Sequence, residues 1–153
     1  MGTHYKGTSR EVLALNAFIK LMRATDSINA CLSRHTEAAG LTMGQFSVLE
    51  ALLHLGPMGQ RALGAKLLRS GSNVTMVLDH LQRRGLVRRA RRTDDRRAIE
   101  VSLSAPGRRL IADLFPTHAR RITRLFGALS ARDQHRLAVL CKTLGRNIPQ
   151  GDV

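Results

Sequence analysis

Apolar residues recur every three or four positions along most of this 153-residue chain. From Ser9 to about Glu37 the series Ala14, Phe18, Leu21, Thr25, Ile28, Leu32 and His35 marks one long amphipathic helix. The corner Gly40-Leu41-Thr42 ends it, and Thr42 suits the N-cap of a second helix carrying Phe46, Leu49, Leu52 and Leu53. That helix stops at "HLGPMG", and a short third helix follows with Leu63, Leu67 and Leu68 as its apolar positions. After the break "RSGSN" a fourth helix carries Val74, Val77, Leu78 and Leu81 at i, i+3, i+4 and i+7, closed by Gly85. Two short helices joined by a tight Ser/Gly turn read as a helix-turn-helix.

The apolar period then drops from helical to strand-like. "LVRRARR" and "AIEVSLS" are two short strands, with Ile99, Val101 and Leu103 alternating with Glu100, Ser102 and Ser104, and "TDDR" between them has the composition of a hairpin turn. A ribbon with arginines at its tip, directly after a helix-turn-helix, reads as a wing. From Pro106 a long helix runs to roughly Ser130 on the stripe Leu110, Ile111, Leu114, Phe115, His118, Ile122, Leu125, Phe126 and Leu129, and Pro116 is expected to kink it. A last helix, Asp133 to about Asn147, sets Leu137, Leu140, Cys141, Leu144 and Ile148 on one side.

The expected fold is therefore mainly α with a small β-wing: a winged helix-turn-helix over 39–104, flanked by an N-terminal dimerisation helix over 1–38 and C-terminal dimerisation helices over 105–153. The first, fifth and sixth helices carry more apolar surface than one small core can use, above all Ile111, Leu114, Ile122 and Leu125, which implies a homodimer built from the two chain ends.

Charge sharpens this picture. The net charge is +14, and Arg61 to Arg97 hold eleven Lys or Arg against three Asp or Glu, or +8 of it. Arginine outnumbers lysine 21 to 4, as codon usage in a GC-rich genome would also produce, but codon usage does not concentrate charge in one segment. A focused basic span implies a polyanionic partner, and double-stranded DNA fits the helix-turn-helix. A charged hairpin that is merely solvated would leave that helix-turn-helix unexplained.

Other classes fall away. No apolar run reaches the roughly 18–20 residues that span a bilayer, and the N-terminus has no signal-peptide apolar core, so no membrane role and a cytoplasmic location are expected. Cys31 and Cys141 are far apart with no C-x-x-C spacing, so neither a disulfide framework nor a metal site is indicated, and no cofactor is expected. An enzyme is not expected either, because there is no Gly-rich phosphate loop, no nucleophile elbow and no metal-spaced His/Cys cluster. The rival reading is an architectural, ligand-independent protein that coats DNA.

The segments "LTMGQFSVLEALLHLGP", "SNVTMVLDHLQRRGLVRR" and "DDRRAIEVSLSAPG" resemble the MarR family of winged helix-turn-helix regulators, and the resemblance covers the whole chain. The last segment follows the family's D-x-R…L-T wing signature, with Ser104 where Thr is usual. "HYKGT" and the tail "LFPTH…L…L" further resemble a branch that answers to quinones and hydroquinones. The family implies a homodimeric repressor on a pseudo-palindromic operator, released by a small phenolic ligand or by cysteine oxidation.

Residue roles follow from helical geometry and from the resemblance together. With Val74, Val77, Leu78 and Leu81 inward, Asn73, Thr75, Met76, Asp79, His80 and Arg83 turn outward. Asn73, Thr75 and Met76 are placed to reach base edges, since Asn bonds adenine bidentately and Met contacts a thymine methyl. Ser70 and Ser72 suit either phosphate contact or capping. Arg97 matches the arginine of the wing motif, Asp95 is expected to orient it, and Arg92 and Arg96 to meet phosphate or groove. Arg88 and Arg89 read as solvated strand residues.

The resemblance puts an effector pocket between the dimer helices and the winged module, with His35, Phe46, His54, Phe115 and His118 as candidates. Imidazole can hydrogen-bond a phenol and Phe can stack on its ring. Both cysteines fall on or beside the apolar face of a helix and read as buried structural residues. Cys31, one turn before Arg34, is the candidate redox sensor.

Overall fold

The computed structural model describes residues 2–67, 71–91 and 99–147, with backbone only at 71 and 72. Among these lie α1 (Ser9–Ala38), α2 (Met43–Leu55), β1 (Met58–Gly59), α3 (Gln60–Lys66), α4 (Gly71–Arg83), β2 (Val87–Arg91), β3 (Ile99–Leu103), α5 (Ala105–Phe126) and α6 (Ala131–Arg146). The strands form one antiparallel sheet in the order β1-β3-β2, in which Arg89 pairs with Val101 and Met58 pairs with the same Val101 from the other side. The winged helix-turn-helix read from the sequence is thus present, and β1 is an addition to it. Two residues have no period, so "GPMG" read only as a break.

The helix starts follow local chemistry. Thr8 and Thr42 both form capping boxes: each accepts from the backbone N–H three residues on, while Glu11 or Gln45 reaches back to the cap's own N–H. Gly40 and Gly85, at φ +70° and +66°, take the left-handed turns that end α1 and α4.

The chain divides into two compact units, Met1–His118 and Ala119–Val153. The core of the first contains Leu41, Phe46, Leu49, Leu52, Leu63, Leu78, Leu81, Val101 and Ile111, each at most 1% exposed. Burying each large side chain of this kind contributes roughly 1.5–3 kcal/mol. All four inward positions of α4, Val74, Val77, Leu78 and Leu81, are in this core. In the second unit α6 starts at Ser130, whose side chain accepts from Asp133 N–H, and Gln134 Nε2 donates to the carbonyls of Phe126 and Leu129.

Several sequence expectations need correction. Ile111, expected to carry the dimer surface, is buried in the core of the first unit instead, because α5 packs there before its stripe reaches solvent. On the α1 stripe Leu32 is buried, Leu21, Ile28 and His35 are half-buried, and Ala14, Phe18 and Thr25 are exposed. α3 ends at Lys66 with Leu67 as its C-cap, and Leu68 lies outside the described residues. α5 contains Pro116 and ends at Phe126, four residues short of Ser130, because Gly127 intervenes and Ser130 caps the next helix. α6 has no buried residue. Cys141 on it is exposed and Cys31 is half-buried, so neither is the buried structural cysteine expected.

One joint ties these elements together. Buried Ser104, between β3 and α5, donates from Oγ to Gly85 O (2.6 Å), accepts at Oγ from Gly107 N–H (3.1 Å), and donates its own N–H to Leu86 O (3.1 Å). A second strut crosses from α4: Arg84 Nη1 donates to Gly40 O at the α1–α2 corner. At the joint the backbones approach closely, and a Cβ on Gly107 would stand 1.9 Å from Leu86 O. Gly107→Ala is therefore expected to destabilise the chain by about 3 kcal/mol, the upper end of overpacking costs, because the clash is with backbone that cannot swing away. Urea denaturation checks this; a loss under about 0.5 kcal/mol would show that α5 shifts freely.

Candidate nucleic-acid interface

α4 is divided cleanly between core and solvent. Opposite its four buried residues, Thr75, Met76, His80 and Arg83 are exposed and Asn73 and Asp79 are half-buried. Met76 leaves 58% of its surface to solvent, which its apolar side chain does only where no core is in reach. Thr75 Oγ1 accepts from Gln60 Nε2 at 2.9 Å, so the first residue of α3 braces the outer face of α4. Arg83 Nε donates to Asp79 O at 3.4 Å, one turn back along the helix.

β2 stands beside this face. Val87, Arg89 and Arg91 share one side of the strand; Val87 is buried, and Arg89, opposite buried Val101, must point the same way. Arg89 reaches α4 there: Nη2 pairs with Asp79 Oδ1 and Nε donates to Gln82 Oε1. This corrects the reading of Arg89 as a solvated residue; Arg88, on the other side of β2, is exposed as expected. The alternation from Val87 was the signal that pointed to Arg89. For Gln60 no sequence signal existed, since its partner lies fifteen residues on and comes within reach only because α3 packs against α4.

The other described cations of the basic span, Arg61, Lys66, Arg83, Arg84, Arg88 and Arg91, are all exposed. Ser72 opens α4 without a described side chain, and Ser70, Arg92, Asp95, Arg96 and Arg97 lie outside the described residues.

The effector candidates assemble as two ring contacts within the first unit. Phe46 of α2 packs on His118 of α5 with ring centroids 4.3 Å apart, and His35 of α1 stacks on the same His118 at 6.2 Å. Phe46 and His118 are buried, and His35 Nε2 is buried without a hydrogen-bond partner. His54 meets Phe115 edge-on at 4.4 Å, nearer the surface. Three helices thus bring their aromatic and imidazole groups together at one end of the core. Among the described residues no cluster of His, Cys, Asp or Glu could hold a metal ion, and no helix is long and apolar enough to cross a membrane.

A braced helix with a polar outer face, flanked by an antiparallel ribbon and exposed arginines, defines a winged helix-turn-helix regulator. The family model of the MarR family matches residues 41–99. The chain is 34% identical over 132 residues to the HTH-type transcriptional regulator YkoM of Bacillus subtilis (strain 168), which is 86% of each chain. Among solved structures it is similar to AbsC, a MarR family transcriptional regulator from Streptomyces coelicolor (TM-score 0.84, 20% identity, 94% of this chain and 98% of that one). It is also similar to the organohalide-sensing regulator RdhR-CbdbA1625 in its 2,4-dichlorophenol-bound form (TM-score 0.80, 14% identity, 97% and 90%). The chain belongs to the MarR family.

Beside the second ring contact lies a titrating group. Glu50, one turn before His54, is half-buried, and loss of water pushes its carboxyl above the usual range, with the His54 charge opposing in part. The folded chain therefore holds this proton more tightly than the unfolded one. The group's contribution is most favourable below the ordinary carboxylate range and declines as pH rises through the shifted value. Glu50→Gln is expected to raise stability at pH 7 and leave it unchanged near pH 4. Urea melts at both pH values measure the difference, and equal effects at the two would contradict the assignment.

Proposed function

We propose that this chain is a transcriptional repressor that binds a pseudo-palindromic operator as a homodimer and is released by a small planar phenol or quinone-like ligand. The observation that carries the DNA-reading part is the outer face of α4, where Thr75, Met76, His80 and Arg83 stand exposed opposite four core residues. Asn73, Thr75 and Met76 read base edges; Ser70 and Ser72 contact phosphate or cap α4; His80 and Arg83 lie further along the same helix. In the wing, Asp95 orients Arg97, with Arg92 and Arg96 on phosphate or groove. Such a protein works in the cytoplasm and has no catalytic role.

The dimer is supported by apolar side chains left in solvent: Leu13, Phe18 and Met22 on α1 in the first unit, and Val139, Leu140 and Leu144 on α6 in the second. Leu13 and Leu140 leave 73% and 66% of their surface exposed, and each has other exposed apolar side chains on its own helix, the grouping that marks an interaction surface. The ligand reading is supported by the gathering of His35, Phe46 and His118, with His54 and Phe115 nearby, and by the phenol bound to RdhR-CbdbA1625. A ligand lowers DNA affinity only by preferring the DNA-incompetent arrangement, so operator DNA must weaken ligand binding by the same factor. A second reading, thiol sensing, is favoured by the accessibility of Cys141 and the half-burial of Cys31.

Light scattering at micromolar concentration is expected to show a dimer, and footprinting two protected half-sites roughly 10 base pairs apart. A monomer, or one asymmetric half-site, contradicts the reading. Asn73→Ala is expected to cost about 1–3 kcal/mol at one base position and to relax specificity there. Arg97→Ala is expected to weaken binding to all sequences and lower the salt slope by about one. Equal loss of discrimination in both variants would misassign the reading residues. Cys31→Ser/Cys141→Ser should still leave the operator when a salicylate-like phenol is added; retention under every inducer of the wild type would make the thiols the sensor.

A further inference from the structure

An acidic residue on the outer side of a recognition helix is a puzzle in a chain with net charge +14. Asp79 lies one turn after Thr75 and one turn before Arg83, on a surface expected to meet phosphates, where a carboxylate repels. Its partner is Arg89 from the inner side of β2, and the same guanidinium holds Gln82 through Nε. Asp79 and Gln82 are three residues apart on α4, hence neighbours on one helix face. One planar fork therefore grips two side chains of the helix at once, which a lysine ammonium on a flexible stem cannot reproduce.

We infer that Arg89 is a positioning residue for DNA recognition: it tethers the base of the wing to α4 through Asp79 and Gln82 and fixes the angle at which the two reach DNA. The inference rests on reading α4 as the DNA-reading helix. With side-chain exposures of 22% for Arg89 and 47% for Asp79, the pair is too open to decide global stability. Its consequence is orientation. The wing and the recognition helix must enter neighbouring grooves at one fixed spacing, and β2 is bonded to the sheet on one edge only, through β3. The tether supplies a constraint from the helix side. It also neutralises Asp79, so the carboxylate that holds the wing does not repel the duplex.

The test sets this geometry against simple electrostatics. Two probes are used: the duplex that the wild-type chain selects from a random-sequence pool, and a scrambled duplex of the same composition. Asp79→Asn removes a negative charge, so electrostatics alone strengthens binding to both. The tether predicts instead about three- to tenfold weaker binding to the selected duplex, with no loss on the scrambled one. Arg89→Ala is expected to lose the same discrimination without lowering the salt slope, and the double variant to be no worse than either single one. Gln82→Ala gives a milder form of the same loss. In the free protein, hydrogen exchange at the β2 amides is expected to quicken in the Asp79 and Arg89 variants while their melting temperatures stay near wild type.

If Asp79→Asn binds the selected duplex as tightly as the wild type or more so, the tether has no role. If Arg89→Ala weakens both duplexes equally and lowers the salt slope by about one, Arg89 is a phosphate contact and the proposal is overturned. A wild-type chain that selects no sequence overturns the DNA-reading assignment itself and the role of Arg89 with it. Normal selection with unchanged β2 exchange in both variants overturns the tether alone.

Discussion

The hydroxyl of Ser104 is the point on which the arrangement of the first unit turns. A hydroxyl donates and accepts at one atom, so a single side chain satisfies the Gly85 carbonyl just past α4 and the Gly107 amide in the first turn of α5. Both groups lie where the backbones of α5 and the α4–β2 turn nearly touch, and only glycine at 107 permits the approach. An apolar side chain at 104 would leave two buried polar groups orphaned, at about 1–3 kcal/mol each. Threonine, usual at this place in the resembling wing motif, keeps the hydroxyl, and so does serine. What reads as a wing signature in sequence is in part a structural joint.

The arginines divide by the same logic of satisfaction. Arg84 and Arg89 spend their donors inside the chain, on Gly40 O and on Asp79 with Gln82. Arg61, Arg88 and Arg91 remain in solvent, where their charge acts at a distance. Counting charge over the span recognises the class of partner. It does not say which cations meet that partner, because a guanidinium serves either purpose and a partner within reach decides: Arg91 shares Arg89's side of β2 and stays exposed.

Much of the fold was legible because it is periodic. α4 buries all four positions its spacing named, α2 buries Phe46, Leu49 and Leu52 with Leu53 half-buried, and β2 and β3 follow the alternation around Val101. β1 was not legible, since Met58 becomes a strand residue only by pairing with Val101 about forty positions on. On α1 periodicity marks an apolar face but not what covers it, and Phe18 is exposed in the chain. Of the site, the face of α4 was legible from helix geometry, and Thr75, Met76, His80 and Arg83 all stand in solvent. The brace Gln60 was not legible, because it depends on a tertiary approach that no local pattern encodes; the alternation from Val87 put Arg89 on the inner side of β2 but did not name its partners. His35, Phe46 and His118 were singled out only through the resemblance, and that their rings meet was not legible in the spacing, since three separate helices bring them together.

The bond from Arg84 to Gly40 joins two regions that the chain keeps 44 residues apart. Gly40 follows the helix that carries His35, while Arg84 directly follows the helix that carries the solvent-facing Thr75, Met76 and His80. A displacement of the corner between α1 and α2 must either drag the C-terminal end of α4 along or break this bond. Gln60, bonded to Thr75 near one end of α4, and Gly40, bonded to Arg84 just past the other, thus hold the helix at both ends from outside itself.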